Sequence, residues 1–217
     1  MKALILAAGY GKRMLPLTEK LPKPLLEVRG KPLIVHHIEN LANAGIREMV
    51  INLAHLGHKI EEALGDGSQF GVSIEYSYEG EEPLETGGGM TKALPLLGEE
   101  IFLVVNGDIF CDYDFTLLPT LEEDLDAHLI LVDTPDFKTT GDFGLSVDGF
   151  LCMEEPTDLT YAGIALYHPR ILDGAIVEKF SIVPRLRDSV SGRRVRGTYH
   201  SGEWSDVGTP ERLFALQ

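Results

Sequence analysis

The sequence predicts an α/β fold with one doubly wound mixed sheet and a small antiparallel lid. Strand-like and helix-like runs alternate through the first half, which is typical of parallel strands joined by helical crossovers. The strand-like runs are short, apolar and bounded by glycine or polar residues. The chain has 217 residues, 44% of them hydrophobic, enough for one core and too few for two large ones. We therefore expect a single domain over residues 1–217.

The first half alternates regularly between the two kinds of run. Pro32 suits the first turn of a helix and Gly45 suits its end, so these two residues bound the first predicted helix. The continuous apolar run 101–105 is typical of a buried central parallel strand. The predicted strands are Lys2–Ala7, Glu48–Leu53, Val72–Tyr78 and Ile101–Asn106, and the predicted helices are Pro32–Ala44, His58–Leu64 and Gly89–Leu97.

The second half is less regular. Its extended runs either complete a mixed sheet or form the antiparallel lid, which would hold a second ligand. Pro184 and the pair Thr209-Pro210 mark helix starts, and we expect no appended domain after the last helix. The predicted extended runs are Ala127–Val132, Gly144–Val147, Phe150–Met153, Tyr161–Leu166 and Arg194–His200, and the predicted helices are Pro184–Val190 and Glu211–Leu216.

A glycine-rich turn follows the first strand, and basic residues surround it. Gly9 and Gly11 allow close approach of a ligand to unpaired backbone N–H groups, and Lys12, Arg13 and Lys23 add positive charge. Such a turn can hold phosphate oxygens. Glycines after a strand also form ordinary β–α turns, and this pair lacks the third glycine of the dinucleotide fingerprint. The basic residues favour a triphosphate site.

Three segments together identify a family. The N-terminal run LAAGYGKRMLPLTEKLPKPLLEVRGKPLI, the triplet Asn106-Gly107-Asp108 and the segment WSDVGTPE at residues 204–211 resemble the motifs of the sugar-1-phosphate nucleotidylyltransferases. The resemblance covers essentially the whole chain. It implies a Rossmann-like, GT-A-like fold. Within the family, residues 79–89 and the chain length resemble the uridylyltransferases that act on N-acetylmuramate 1-phosphate in cell-wall recycling.

The resemblance implies attack of a sugar 1-phosphate on the α-phosphorus of a nucleoside triphosphate, favouring UTP, with release of pyrophosphate. Such a transfer depends on positioning and on neutralising charge. Arg13 would hold the β- and γ-phosphates with its planar guanidinium, and Lys23 would point toward the α-phosphate. Lys12 either contacts the triphosphate or lies in solvent. The expected nucleotide-binding residues are Ala8, Gly9, Gly11, Lys12, Arg13, Lys23 and Gly87.

Two aspartates are the candidate metal ligands. Asp108 follows a buried apolar strand, and Asp206 lies between Trp204 and Val207. Hard carboxylate oxygens suit Mg²⁺, which takes one or two carboxylates together with waters and substrate phosphates. An aspartate at a strand end is also commonly a cap or turn residue. The family resemblance favours both as Mg²⁺ ligands, so the candidate catalytic residues are Arg13, Lys23, Asp108 and Asp206.

The residues that would contact the sugar phosphate are indicated by less specific features of the sequence. Asn106, Asp142 and Gly163 are placed where contacts with hydroxyl and acetamido groups are expected. We accordingly expect residues 1–110 to bind mainly the nucleotide and residues 111–217 to bind mainly the sugar.

The charge distribution excludes one class of partner. The net charge is −15, whereas binding of nucleic acid needs a basic surface. Residues 1–31 nevertheless carry seven lysine or arginine residues against two acidic ones. A basic segment in an acidic protein can concentrate positive potential on a small anionic ligand, although solvated surface charge would give the same count.

Neither a membrane nor a secretory route is indicated. The apolar runs are far shorter than a membrane span, and no cleavage-like segment follows the first. Cys111 and Cys152 lack a paired spacing, which favours free thiols in a reducing cytoplasm. The seven histidines show no two-ligand helical spacing, so the sequence predicts no zinc site.

Alternative functions share parts of this pattern. Guanylyltransferases acting on mannose 1-phosphate, and thymidylyl-, uridylyl- or cytidylyltransferases acting on other sugar phosphates, carry the same N-terminal signature. A non-catalytic nucleotide-binding regulatory module would need a broken site, whereas all four candidate catalytic residues are present. A Rossmann oxidoreductase is disfavoured by the missing third glycine.

Overall fold

The computed structural model describes residues 1–154 and 156–217. In the first half the elements are β1 (Ala3–Leu6), β2 (Glu27–Val28), β3 (Lys31–Pro32), α1 (Leu33–Asn43), β4 (Glu48–Leu53), α2 (Gly57–Leu64), β5 (Ser73–Tyr78), α3 (Glu85–Leu97), β6 (Phe102–Asn106) and β7 (Ile109–Cys111). In the second half they are β8 (Ala127–Asp133), β9 (Gly144–Leu145), β10 (Leu151–Cys152), β11 (Leu159–Tyr167), α4 (Val183–Ser191), β12 (Val195–Tyr199), β13 (Trp204–Asp206) and α5 (Pro210–Phe214).

Seven strands form the central sheet, in the order β12-β8-β11-β6-β1-β4-β5. All neighbours pair in parallel except β11, which is antiparallel to both β6 and β8. The amino-terminal end of β11 therefore lies at the same edge as the carboxyl ends of the other six strands. The chain moves outward from β1 to β4 and β5, and then returns to the other side of β1 at β6. Such a switch point is where ligands bind in open α/β sheets.

The two faces of the sheet carry separate cores because side chains alternate along each strand. Ala3 and Ile5 of β1 pack on the face covered by α1 and α2, whereas Leu4 packs with residues of α3 and α4 on the opposite face. Helices on both faces confirm the doubly wound α/β architecture.

Most predicted elements of the first half are confirmed to within one or two residues, and β4 is confirmed at both ends. The start predicted for the third helix is wrong, since α3 begins at Glu85 and not at Gly89. Glycine disfavours a helix on propensity alone. Gly87, Gly88 and Gly89 nevertheless lie within α3, where each packs so closely against a neighbouring residue that an added Cβ would clash.

The second half completes the mixed sheet. The predicted runs that begin at residues 127, 161 and 194 become β8, β11 and β12. The predicted lid is reduced to the short antiparallel hairpin of β9 and β10, whose Leu151 is buried in the core shared by α3 and α4. The two C-terminal helices form close to their predicted positions, and Thr209 caps α5 by accepting a hydrogen bond from the backbone N–H of Arg212.

A small ribbon, which the sequence did not predict, pairs β7 with β13. A third apolar cluster packs beside it and joins the N-terminal loops to the C-terminal helix; its members are Met14, Leu26, Val28, Leu33, Phe110, Val207, Leu213 and Leu216. The two ends of the chain are thereby brought to one side of the switch point.

Two further predictions concern the environment of the chain. Across the described ranges 1–154 and 156–217, no helix is both long enough and apolar enough to cross a bilayer. Cys111 and Cys152 are free thiols, as the sequence predicted.

Candidate active site

The turn after β1 forms one wall of a cleft at the switch point. Ala7, Ala8 and Gly9 line this cleft. Gly11 has φ +63°, and an added Cβ would lie 2.9 Å from the Thr18 side chain. The Thr18 hydroxyl donates to the carbonyl oxygen of Gly11 at 2.8 Å. The turn is therefore held in a shape that only glycine adopts without strain.

Basic side chains follow directly on this turn. Lys12 and Arg13 lie in a single 3₁₀ turn and line the cleft. The ammonium of Lys12 lies over the Tyr10 ring, 5.0 Å from its centroid. Lys12 is exposed and lines the cleft beside the Tyr10 ring, and its contact with the triphosphate stays a prediction.

Lys23 is a buried cation. Its side chain is 8% exposed, in a 3₁₀ turn that begins after the extended residue Pro22. The Nζ atom donates to Oδ2 of Asp108 at 2.7 Å. A buried charge needs such a partner, because an unpaired ammonium loses its hydration without compensation.

Two aspartates come together through backbone pairing. Asp108 follows β6, and Gly107 donates its N–H to the carbonyl oxygen of Leu6 at 2.9 Å. In the β7–β13 ribbon, Asp206 lies opposite Ile109, and the N–H of Val207 donates to the carbonyl oxygen of Asp108 at 3.0 Å. The two carboxylate-bearing residues are thus neighbours across a strand pair, although they come from opposite halves of the chain.

Asp206 has a cationic neighbour that sequence reasoning missed. Nη1 of Arg212, on α5, lies 3.4 Å from Oδ2 of Asp206. The Arg212 guanidinium also lies 4.1 Å from the centroid of the Phe137 ring. A Cβ added at Gly208 would be 3.2 Å from the guanidinium of Arg13, so Arg13 reaches the C-terminal segment. The sequence could have indicated Arg212, because this residue lies in the first turn of a helix that begins shortly after Asp206.

A polar network at the ends of β4 and β5 was also missed. Asn52 accepts a hydrogen bond from the N–H of Ala7 at 2.6 Å and donates to Oε1 of Glu79 at 2.6 Å. Glu79 accepts a second bond from the N–H of Leu84 at 2.6 Å. Burial raises the pKa of Glu79, and these two hydrogen bonds oppose the shift. Polar residues at the carboxyl ends of parallel strands are the signal that could have identified both side chains.

The start of α3 borders the other side of the cleft. Glu85, with φ +60°, and Thr86 line it. Gly87 does not line the cleft; an added Cβ there would lie 2.6 Å from Cδ2 of Phe180. An added Cβ at Gly89 would lie 2.9 Å from Nδ2 of Asn52. The glycines therefore allow α3 to pack closely beside the site. The contact of Gly87 with the nucleotide stays a prediction.

The three sugar-side candidates are placed differently. Asn106 lines the cleft and packs against Gly163, where φ is +83° and an added Cβ would lie 2.9 Å from Nδ2 of Asn106. Asp142 accepts from Lys138 Nζ at 2.8 Å and from the N–H of Tyr161 at 3.0 Å, and it is outside the residues that line the cleft. The structure therefore joins Asn106 to Gly163 and shows Asp142 bound to its own loop.

The cleft has a volume of about 350 Å³, within the range of small-molecule sites. Arg13, the buried Lys23, Asp108 and Asn106 all line it, and Lys23 and Asp108 are in direct contact there. Such a cleft offers cationic groups for a polyphosphate beside a carboxylate that can bind a cation.

The sequence of the chain is similar to those of known nucleotidyl transferases. The model of the family described as "Nucleotidyl transferase" matches residues 2–148. An N-acetylmuramate alpha-1-phosphate uridylyltransferase from Neisseria meningitidis is 50% identical, covering 100% of this chain and 97% of that protein. A protein of the same name from Caulobacter vibrioides is 34% identical, covering 99% and 95%. A mannose-1-phosphate guanyltransferase from Gibberella zeae is 31% identical, and the chain covers 62% of its length.

Solved structures share the fold. The crystal structure of a Bacillus anthracis protein assigned as a glucose-1-phosphate thymidylyltransferase matches with a TM-score of 0.86 at 23% identity, covering 100% of this chain and 93% of that one. HddC from Yersinia pseudotuberculosis, in complex with GMP-PN, matches with a TM-score of 0.80 at 22% identity, covering 99% and 97%.

Proposed function

The chain belongs to the sugar-1-phosphate nucleotidyltransferases of the nucleotidyl transferase family, and we propose that it joins UTP to N-acetylmuramate 1-phosphate. The products would be UDP-N-acetylmuramate and pyrophosphate. The full-length similarity to two proteins named for that activity supports this choice of substrates. We further propose that it acts in cell-wall recycling in the cytoplasm, in keeping with its two free thiols.

One observation carries the proposal: a buried lysine from the N-terminal loops and two aspartates from opposite halves meet at the sheet's switch point. Lys23 donates to Asp108 at 2.7 Å, and the β7–β13 ribbon sets Asp206 beside them. The reaction requires two polyanions to meet. A site in which cationic side chains lie beside a pair of carboxylates that could bind a metal ion suits that requirement.

In the proposed reaction, an oxygen of the sugar 1-phosphate attacks the α-phosphorus of UTP. The bond from that phosphorus to the bridging oxygen breaks, and pyrophosphate leaves with its electron pair. Arg13 lies where its guanidinium can bind the terminal phosphates as they depart, since it lines the cleft near Gly208. The N–H groups of the turn around Gly9 can orient the chain of phosphates.

Lys23 would stabilise the charge that develops at the α-phosphate. Its ammonium donates to Asp108 in the structure. The two side chains would have separate roles in the reaction, with Asp108 as a metal ligand and Lys23 as a donor to an oxygen of the phosphate. Because Lys23 is buried, its charge acts with little screening by water.

Asp108 and Asp206 fit Mg²⁺. The donor set is two carboxylates, which are the hard oxygen ligands that Mg²⁺ takes from proteins. Each carboxylate has a cationic partner in the structure, Lys23 for one and Arg212 for the other. When bound, the ion would neutralise phosphate charge in the transition state.

The sugar side would be built on Asn106 and the β11 bulge at Gly163. The antiparallel register of β11 with β6 sets Ile164 opposite Val105, which places Gly163 beside Asn106. The amide of Asn106 is then directed by the packing of Gly163, and it can exchange hydrogen bonds with hydroxyl groups of the sugar. Asp142 would contact the sugar only if its contacts with Lys138 and Tyr161 loosened.

A pyrophosphate-release assay tests the proposal. UTP, GTP, dTTP, CTP and ATP are each combined with the 1-phosphates of N-acetylmuramate, N-acetylglucosamine, glucose and mannose. We expect the highest kcat/KM for UTP with N-acetylmuramate 1-phosphate, because a site that binds the lactyl carboxylate rejects sugars that lack it. A highest value for GTP with mannose 1-phosphate would contradict these substrates and match the guanyltransferase relatives instead.

A further inference from the structure

Three metal-binding side chains meet outside the cleft. Cys111 ends β7, Asp112 follows it, and His200 follows β12. The sulfur of Cys111, a carboxylate oxygen of Asp112 and a ring nitrogen of His200 all lie within 4.8 Å of one another. Nε2 of His200 and Oδ1 of Asp112 are 2.8 Å apart. Spacing along the sequence cannot reveal this cluster, since it depends on how two strands end in space.

We propose that Cys111, Asp112 and His200 form a Zn²⁺ site that is separate from the Asp108 and Asp206 pair. Thiolate, imidazole and carboxylate are the ligands zinc takes in proteins, whereas Mg²⁺ prefers oxygen alone. A tetrahedral zinc ion holds its donor atoms about 3.5 Å apart. Donor atoms up to 4.8 Å apart would approach by about 1 Å, while Nε2 of His200 and Oδ1 of Asp112, now 2.8 Å apart, would separate by roughly half an ångström, with a water molecule as the fourth ligand.

The surrounding backbone builds the cluster. A Cβ added at Gly202 would overlap Oδ1 of Asp112 and lie 2.6 Å from Nε2 of His200, so the main chain passes directly over the donors. The N–H of Asp112 donates to the carbonyl oxygen of Glu203 at 3.1 Å, and the N–H of His200 donates to Leu131 at 2.7 Å. Two of the three ligand-bearing residues are therefore fixed by sheet-like hydrogen bonds.

The exposure of the donors suits entry of an ion. Cys111 is buried, the His200 side chain is 15% exposed, and the Asp112 side chain is 52% exposed. The ion would reach the buried sulfur past Asp112. Burial raises the pKa of Cys111 to about 12, and a hydrogen bond from the backbone N–H of Tyr113 partly opposes this. Zinc binding would thus release the thiol proton.

The site would have a structural role. Cys111 belongs to the ribbon strand that begins just after Asp108, and His200 lies at the end of β12 on the edge of the main sheet. An ion bound by both would fix the ribbon to the sheet edge. Because zinc would bind the folded chain and only weakly the unfolded one, it should raise the midpoint of thermal unfolding.

Cobalt titration tests the site without reference to catalysis. The full chain is freed of metal with a chelator, which is then removed, and Co²⁺ is added. We expect a thiolate-to-cobalt charge-transfer band that saturates at equimolar Co²⁺ and disappears when Zn²⁺ is added. The band should be absent in Cys111→Ser, and His200→Gln should weaken Co²⁺ binding at least about tenfold. Zn²⁺ should raise the unfolding midpoint of the wild type and not that of His200→Gln.

Matched variants separate this site from the rest of the chain. Cys152→Ser and the exposed-residue variant His58→Gln should keep the band, as should Asp108→Asn and Asp206→Asn. Circular dichroism verifies folding of each variant, and His200→Gln decides the question if Cys111→Ser does not fold. The absence of a band in the wild type at equimolar Co²⁺ would overturn the proposal. So would a band that persists unchanged in both Cys111→Ser and His200→Gln.

Discussion

Residues 1–110 and residues 111–217, the nucleotide half and the sugar half of our proposal, supply their site residues in different ways. In residues 1–110, several residues that line the cleft lie at strand ends: Ala7 to Gly9 follow β1, Asn52 is the second-last residue of β4, Glu79 follows β5 and Asn106 ends β6. In residues 111–217, Asp206 reaches the site through a three-residue ribbon and Gly163 through a bulge in a reversed strand. The first set is therefore positioned by single strand ends, and the second by pairing between distant segments of the chain.

The two halves meet in the one pair of carboxylates that we propose binds a cation. Asp108 comes from the first half and Asp206 from the second, and the third apolar cluster joins the N-terminal loops to the C-terminal helix behind them. Catalysis should consequently depend on both halves equally, even though only one contains the glycine-rich turn.

The largest expected effect is on the carboxylate pair. Asp108→Asn and Asp206→Asn should each lower kcat at least about a hundredfold, because each removes charge from the proposed metal site. Asp206→Asn should keep the thermal unfolding midpoint close to wild type, whereas Asp108→Asn should lower it, because it removes the carboxylate that pairs with the buried ammonium of Lys23. Steady-state kinetics at saturating Mg²⁺ measures this.

The exposed variant Asp124→Asn is the control for these two, and it should behave as the wild type. Full turnover in excess chelator would contradict the proposal that Asp108 and Asp206 bind a metal ion. A large loss for one aspartate and none for the other would show that the two halves do not share the site.

A second expected effect separates two cations of the nucleotide half. Lys23→Ala should lower kcat about a hundredfold with a smaller change in the KM for UTP, because its charge matters most in the transition state. Arg13→Ala should impair both parameters, since it would hold phosphates in the ground state as well. Unchanged kinetics for Lys23→Ala would mean that its pairing with Asp108 only supports the loop.

A third expected effect tests the sugar half through two matched glycines. Gly163 and Gly149 both have positive φ, +83° and +80°, but only an added Cβ at Gly163 would meet Asn106. Gly163→Ala and Gly149→Ala should each cost about 1–3 kcal/mol of unfolding free energy through strain. Only Gly163→Ala should also raise the KM for the sugar 1-phosphate. Equal kinetics in the two variants would argue against Asn106 as a sugar contact.

The smallest expected effect concerns a buried histidine in each half. Burial lowers the pKa of both His37 and His128 to about 4. The unfolded chain therefore takes up these protons near pH 6.5 while the folded chain does not. Stability should be complete above pH 6.5 and should fall as the pH is lowered toward 4, by about 1 kcal/mol per histidine at pH 6.

Denaturant titrations between pH 8 and pH 5 measure this dependence. His37→Leu should reduce it, and the exposed-residue variant His58→Gln should leave it unchanged. A stability that stays constant over this range would show that both buried histidines titrate normally.

The sequence predicted the parts of the molecule that depend on local chemistry. The alternation of runs gave the doubly wound sheet, and the glycine turn with Arg13 and Lys23 gave one wall of the cleft. The ribbon of β7 and β13 escaped prediction because strands of three residues carry too little periodicity to recognise. The Asn52 and Glu79 network escaped because polar residues at strand ends resemble ordinary turn residues.

Binding of Mn²⁺ in the presence of UTP tests most directly the claim that the two halves share one cation site. The affinity is measured by electron paramagnetic resonance for the wild type, Asp108→Asn, Asp206→Asn and the double variant. If both carboxylates bind one ion, we predict that each single variant weakens binding at least about tenfold and that their effects are not additive. Loss of affinity in only one single variant, or independent additive losses, would contradict the shared site.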